Sequence, residues 1–210
     1  MTRRAFDVVG ALVIGLVTAP IWVFAAVVIR MTAGAPVLHR AVRVGRDAAC
    51  FTLYKLRTMD ATTGAPVTAL GDPRITRIGS FLRRTRIDEL PQLWNVVRGD
   101  MSLVGPRPED PRYVERYSAD QRRLLSVAPG LTSPATIAYQ HEEAILAGYA
   151  DPERAYVDEV LPAKLALDLE WLNGRTMLGD VRVLVATVRS VFGKGHGRTD
   201  SVAPGAPSVS

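Results

Sequence analysis

The chain has 210 residues, enough for one modest domain with appendages. Its 26 Lys+Arg against 21 Asp+Glu give a formal charge of +5 and a pI near 9.7, which suits an anionic partner such as phosphate, nucleic acid or lipid headgroup without choosing among them. Cys50 is the single cysteine, which excludes an intramolecular disulfide and a cross-linked secreted scaffold and makes a reducing compartment the simpler expectation.

From Val8 to Ile29 there are 22 residues without a charge. As a helix they would extend about 33 Å, roughly the thickness of a bilayer's hydrocarbon core. A secretory leader has a shorter apolar region, roughly 7 to 15 residues, and no convincing small-residue cleavage site follows here. Pro20 lies near the middle of the segment, lacks the N–H for a helical bond and predicts a bend. Arg3 and Arg4 precede the segment, and Arg30, Arg40, Arg43, Arg46, Lys55 and Arg57 follow it, with Asp47 the one acid between Arg30 and Arg57. Basic residues favour the cytoplasmic side at both ends. These residues alone leave two readings open: a spanning helix with a tolerated kink, or a re-entrant helix bent at Pro20.

Alternation around Val37 to Val44 predicts a strand, and CFTLYKLRTM predicts another with Phe51, Leu53 and Lys55 on one face and Arg57 on the same side as Lys55. Asp60 to Gly71, rich in Ala, Thr and Gly, reads as a flexible loop that could cover a site. From Asp72, Ile75, Ile78, Phe81 and Leu82 recur at helical spacing beside Arg74, Arg77, Arg83, Arg84 and Arg86. Asp88 then stands where an N-cap is expected, with Pro91 in the first turn and Leu90, Leu93, Trp94 and Val97 as the next apolar stripe.

The Asp88–Glu89 pair has two readings. As a cap it contributes about 1 kcal/mol. As chemistry, a carboxylate beside a helix N-terminus and several arginines sits where phosphate is attracted, and can attack phosphorus to form an acyl phosphate, with a neighbouring Glu holding a divalent metal. Arg107, between Pro106 and Pro108, is a guanidinium on a rigid backbone, suited to phosphate oxygens or to an exposed turn. Gly99, Asp100, Gly105 and Pro106 read as turn residues, and His141 as an ordinary surface or packing histidine. Towards the end, Asp151-Pro152 predicts a helix start, Pro162 an interruption and Asn173-Gly174 a stop. Met177, Leu178, Val181, Leu184, Val185, Val188 and Phe192 form a last stripe that packs on the core or lies on a membrane surface. The Gly, Ser, Pro and Ala-rich end is expected to be disordered.

The motifs YKLRTM and DPRITRIGSFLRRTRIDELPQLWNVVRGDMSLVGPRPE, in that order, resemble the core of the bacterial monotopic phosphoglycosyl transferases, the polyprenyl-phosphate sugar phosphotransferases. The resemblance implies an α+β, mainly helical fold: a small membrane-associated catalytic domain (residues 35–192) behind an N-terminal re-entrant helix (1–34) broken at Pro20, with a disordered tail (193–210). It implies an enzyme on the cytoplasmic face of the bacterial inner membrane. That enzyme would transfer a sugar 1-phosphate from a nucleotide diphosphate sugar, expected to be a UDP-sugar, to polyprenol phosphate, expected to be undecaprenyl phosphate. Nucleoside monophosphate would be released in a first membrane step of polysaccharide or glycoconjugate synthesis.

By that resemblance Asp88 is the nucleophile of a covalent phosphosugar intermediate, Glu89 binds Mg²⁺, and Lys55, Arg83 and Arg107 serve the phosphates. Membrane lipid is an implied partner and a homodimer is left open. Two departures stand out. Ala19 occupies a place where serine is frequent, and VAPGLTSPATIAYQHEE differs from the usual continuation after PGLT, so uridine or sugar contacts are not carried over there. The competing reading is a membrane-anchored scaffold without catalysis, which gives no reason for Lys55, Arg83, Asp88, Glu89 and Arg107 to occur together. A nucleic-acid partner is disfavoured by the apolar segment and by the lack of an RNA-binding or zinc-finger signature, and no Walker A or dinucleotide glycine fingerprint is present.

Overall fold

In the computed structural model the uncharged N-terminal stretch forms one helix, α1 (Arg3–Thr32), which runs through Pro20 without the interruption the sequence predicts there. Residues 2–60 and 67–192 are described. Part of the expected covering loop and all of the expected disordered tail lie outside them.

The two ends of α1 are held by different contacts with the same body. At its start, Arg4 donates to the carbonyls of Val96 and Val97 at 2.5 and 2.6 Å, and Asp7 accepts from Ser102 Oγ at 2.9 Å and Leu103 N at 3.0 Å. At its end, Ala25 and Ile29 are buried with Leu56 and Leu82, and Arg57 donates to the carbonyls of Ala33 and Pro36. Between these anchorages Leu16, Val17 and Phe24 are exposed. Among the described residues α1 is the one helix long and apolar enough to cross a membrane by length and composition.

The two predicted strands are β1 (Leu38–Val44) and β2 (Cys50–Leu56), an antiparallel pair in which His39 faces Lys55 and Val42 faces Thr52. Because β2 ends at Leu56, Arg57 leaves the alternation, and its guanidinium turns to the α1 end rather than sharing a side with Lys55. Helix α2 (Arg77–Thr85) starts later than the periodicity suggests. Asp72 ties the preceding turn by accepting from Arg74 N at 2.9 Å, and the Thr76 hydroxyl caps the helix by accepting from Gly79 N at 2.8 Å. Helix α3 (Gln92–Arg98) follows and ends at Gly99, whose φ of +100° is the left-handed stop a glycine permits.

Strand β3 (Ser102–Val104) leads through Gly105 into α4 (Pro111–Val114), and β4 (Gly130–Thr132) returns parallel to β3. A Cβ on Gly130 would lie 2.1 Å from Gly105 N, so this close backbone approach admits no side chain. Short helices α5 (Pro134–Ala138), α6 (Glu142–Leu146) and α7 (Pro152–Ala155) precede the long α8 (Leu161–Asn173) and α9 (Met177–Phe192). Asp151 and Pro152 start α7 and Gly174 ends α8, as the sequence suggests. The interruption at Pro162 takes the form of a π-turn over Tyr156–Val160, which widens the helix where the proline supplies no N–H.

Among the described residues three apolar clusters hold these parts together. One gathers α4, α7 and α8 around Tyr113, Tyr156 and Leu165. A second joins Ala11 of α1 to Leu93, Val96, Met101 and Leu103, with Val183 and Leu184 of α9 packed against it. The third is the Ile29 anchorage of α1. Helix α9 therefore rests on the core through one face, while Leu178, Val181, Val185 and Val188 are exposed.

Candidate active site

Lys55 reaches the site on β2, and Asn95 of α3 keeps that strand in place. This fully buried amide accepts from Tyr54 N at 3.2 Å and donates to Thr52 O at 2.7 Å and to Asp100 Oδ2 at 3.1 Å. Arg83 comes from α2, which closes onto the end of β2 because Gly79 leaves room for the Thr58 carbonyl, 2.0 Å from where a Cβ would stand. The Arg83 guanidinium donates to Thr58 Oγ1 at 3.0 Å and Met59 Sδ at 3.3 Å, and pairs with Glu143 of α6.

After α2, Arg86 adopts φ 56°, a left-handed conformation that reverses the chain into a tight 3₁₀ turn, Ile87–Glu89. The turn carries both carboxylates. Asp88 is therefore not the N-cap of α3: Pro91 occupies that place and no side chain caps the helix. The reason is local, since the 3₁₀ turn and Leu90 intervene and Asp88 points inward, 5% exposed. The cap explanation of this residue does not survive the structure.

The adjacent acids have opposite surroundings. Glu89 accepts from Arg107 at 2.7 Å and from Arg86 at 3.3 Å. Burial would raise its pKa, but Arg107 and Arg86 outweigh it and hold the carboxyl well below the usual range. Asp88 has no hydrogen-bond partner among the described residues. Burial, and then the charge of Glu89, push its pKa up against the opposing pull of Lys55, Arg83 and Arg107. Burial likewise pushes Lys55 down; Asp88 opposes this, and Arg83 and Arg107 add to it. Arg107 is held firmly protonated by Glu89 although over a third of its side chain is exposed. All five residues singled out from the sequence thus lie within electrostatic reach of one another.

The structure adds residues that local patterns do not reveal. Arg86 is a second cation on Glu89, and Glu143 occupies Arg83 from a segment 60 residues away. His39, directly across the ladder from Lys55, is half-buried and held towards its neutral form by burial and by Lys55, Arg43 and Arg83. His141 is exposed and stands at the start of α6, where its side chain makes no cap bond. Pro20, 35 residues before Lys55, lies on α1 and outside this cluster.

A metal can be weighed against these donors. Among the described residues no three acidic, histidine or cysteine side chains converge as a protein-made metal cage. Mg²⁺ is ordinarily held by one or two carboxylates together with substrate phosphates and water, so a cage is not required. Each Glu89 oxygen accepts one hydrogen bond and retains a second acceptor position, and Asp88 is free beside it. The residues fit a magnesium ion brought with a diphosphate.

Residues 1–194 match the family model described as bacterial sugar transferase. A UDP-glucose:undecaprenyl-phosphate glucose-1-phosphate transferase of Caulobacter vibrioides is 35% identical over 198 residues, covering 91% of this chain and 70% of the relative. The exopolysaccharide production protein PSS of Rhizobium leguminosarum is 34% identical over 206 residues, covering 93% of this chain and 97% of the relative. The galactosyl transferase CpsE of Streptococcus agalactiae is 32% identical; the match covers 91% of this chain but 42% of that longer protein.

Proposed function

Since the chain belongs to the bacterial sugar transferase family and is a phosphoglycosyl transferase, we propose that it moves a sugar 1-phosphate from a UDP-sugar to undecaprenyl phosphate through a covalent intermediate on Asp88. The observation that carries the intermediate is the Asp88 carboxylate, 5% exposed, without a hydrogen bond among the described residues and within electrostatic reach of Lys55, Arg83 and Arg107. A structural ion pair would be satisfied. This acid is held without a hydrogen bond where cations attract a diphosphate.

In the first step an Asp88 oxygen attacks the phosphorus bearing the sugar, and the bond from that phosphorus to the bridging oxygen breaks. The electron pair leaves with the nucleoside monophosphate. In the second step an oxygen of undecaprenyl phosphate attacks the same phosphorus, the acyl phosphate bond breaks, and Asp88 returns as carboxylate. Arg107, Arg83 and Lys55 offset the charge that gathers as three anionic groups meet. Glu89 would hold Mg²⁺ against the donor diphosphate, and the ion would supply further charge neutralisation there.

Membrane association rests on α1, and the monotopic, cytoplasmic-face arrangement is part of the same proposal. A straight helix of this length would extend about 45 Å and put its ends on opposite sides of a bilayer. In this chain Asp7 and Ile29, near opposite ends, contact one catalytic body, which supports a helix that enters and leaves on one face. Arg3, Arg4 and Arg30 at those ends agree with it.

The test is to place the full chain in nanodiscs with undecaprenyl phosphate, offer a panel of nucleotide diphosphate sugars and follow nucleoside monophosphate. Release dependent on the lipid phosphate is expected for at least one UDP-sugar. Release of nucleoside diphosphate would instead identify direct glycosyl transfer and overturn the proposal.

A further inference from the structure

Behind Arg107 lies a second layer of charge that no step above uses. Glu109, two residues on, accepts from Tyr156 OH at 2.8 Å, and its carbonyl accepts from Val44 N at 3.0 Å. Lys164 of α8 is buried, donates to Glu142 of α6 at 2.6 Å, and stands 3.8 Å from Glu109 and 3.4 Å from Tyr156 OH. Glu142 and Glu109 both act on Arg107 electrostatically. Charge therefore alternates from the site inward: Arg86, Glu89, Arg107, then Glu109 with Glu142, then Lys164.

A buried ammonium is costly unless closely paired, so this lysine needs a reason. Pro106 and Pro108 fix the backbone around Arg107 but leave the long side chain free to lean. Its guanidinium donates to Glu89 at 2.7 Å, and the Glu142 and Glu109 carboxylates also attract it. Without a cation between them, Glu109 and Glu142 would draw the guanidinium back. Resting on the reading of Arg107 as a phosphate-binding group, we propose that Lys164 is a positioning residue for sugar-phosphate transfer, neutralising Glu109 and Glu142 so that Arg107 stays directed at Glu89 and the donor diphosphate. Lys164 itself touches no reacting atom. The arrangement also gives the unusual segment after Thr132 a task, because Glu142 belongs to it.

The test measures binding of inorganic diphosphate with Mg²⁺ to the full chain in nanodiscs, alongside thermal unfolding. Lys164→Met is expected to weaken binding roughly tenfold, the usual scale for losing a residue that orients a binding group. The double variant Lys164→Met/Glu142→Gln removes one positive and one negative charge and is expected to recover most of the wild-type affinity. A purely structural lysine would also be relieved by removing its partner's charge, but its binding loss would follow its loss of thermal stability; the positioning role is read from a tenfold binding loss in Lys164→Met protein that is still fully folded at the assay temperature. Unchanged binding in Lys164→Met overturns the proposal, as does a folded double variant no better than the single. If Lys164→Met does not fold, Lys164→Gln, which removes the charge but keeps a polar amide beside Glu142, is measured in its place, and binding equal to wild type in that variant overturns the proposal. Wild-type protein that fails to bind diphosphate would overturn the reading of Arg107 itself, and this role of Lys164 with it.

Discussion

Arg107 donates to Glu89 at 2.7 Å, while Asp88, the next residue back, accepts nothing among the described residues. One turn thus presents a carboxylate held by two arginines and one without a hydrogen bond among the described residues. The pair divides the proposed labour: Glu89 is fixed and ionised by its arginines, and Asp88 is left available to react.

Asp88→Asn tests that division. The amide keeps the shape and removes the nucleophile, so the variant is expected to fold, lose turnover by roughly a thousandfold or more, and carry no adduct. Intact mass after incubation with an active donor and without polyprenol phosphate should show an added sugar phosphate on the wild type alone. A variant that turns over near the wild-type rate would return Asp88 to a structural role.

The pH dependence follows from the same residue. Burial and Glu89 raise the Asp88 pKa, and only the ionised form attacks, so kcat/KM is expected to fall as pH drops through that raised value. The acidic limb should lie above about 4, the ordinary value for an aspartate. Glu89, held low, stays ionised over the same range and adds no limb there. A profile flat down to the ordinary carboxylate range would contradict an Asp88 nucleophile in this environment.

Chelation is expected to stop turnover and Mg²⁺ to restore it, because the proposed reaction brings a diphosphate and a lipid phosphate to two carboxylates. Glu89→Gln is expected to raise the Mg²⁺ concentration for half-maximal rate, with partial recovery at high metal. Full activity in chelator would remove the metal from the proposal.

Much of this was legible in the sequence, for reasons that also mark the limit. β1, β2 and the end of α8 announce themselves by alternation, caps and a stop glycine, signals that lie within a few residues of one another. The grouping in space of Lys55, Arg83, Asp88, Glu89 and Arg107 was legible through their motifs, and their roles belong to the proposal. Pairings across the fold left no periodic trace: Glu143 on Arg83 and Lys164 beside Glu109 depend on how α6 and α8 pack. Asp88 misled as an apparent cap because a short 3₁₀ turn and an ordinary helix start use the same residue types.

Glu143→Gln addresses one of those unseen pairs. Arg83 spends its guanidinium on Glu143, Thr58 and Met59, so an incoming phosphate must compete with a carboxylate that is itself 37% exposed. A partly exposed pair is worth about 1 kcal/mol or less. Neutralising Glu143 is therefore expected to lower the donor KM about two- to fivefold with kcat little changed. A rise in KM would mean that Glu143 orients Arg83 rather than competes for it.

The final prediction concerns the membrane. Because Arg4 and Asp7 at one end of α1, and Ile29 and Ala33 at the other, contact the same catalytic body, tags placed before Arg3 and after Ser210 are expected to be accessible from the cytoplasm. Impermeant labelling of inverted and right-side-out vesicles reads this directly. Reaction of the N-terminal tag from the periplasmic side would require α1 to cross the bilayer and to give up the Arg4 and Asp7 contacts with α3 and β3. Pro20→Leu sharpens the test. If α1 bends at Pro20 within the bilayer, restoring the missing N–H removes the cause of the bend, so a re-entrant α1 should then cross, moving the N-terminal tag to the far side and lowering activity as the two anchorages are pulled apart. A helix that already spans would keep its topology after the same substitution, and the two outcomes separate the readings.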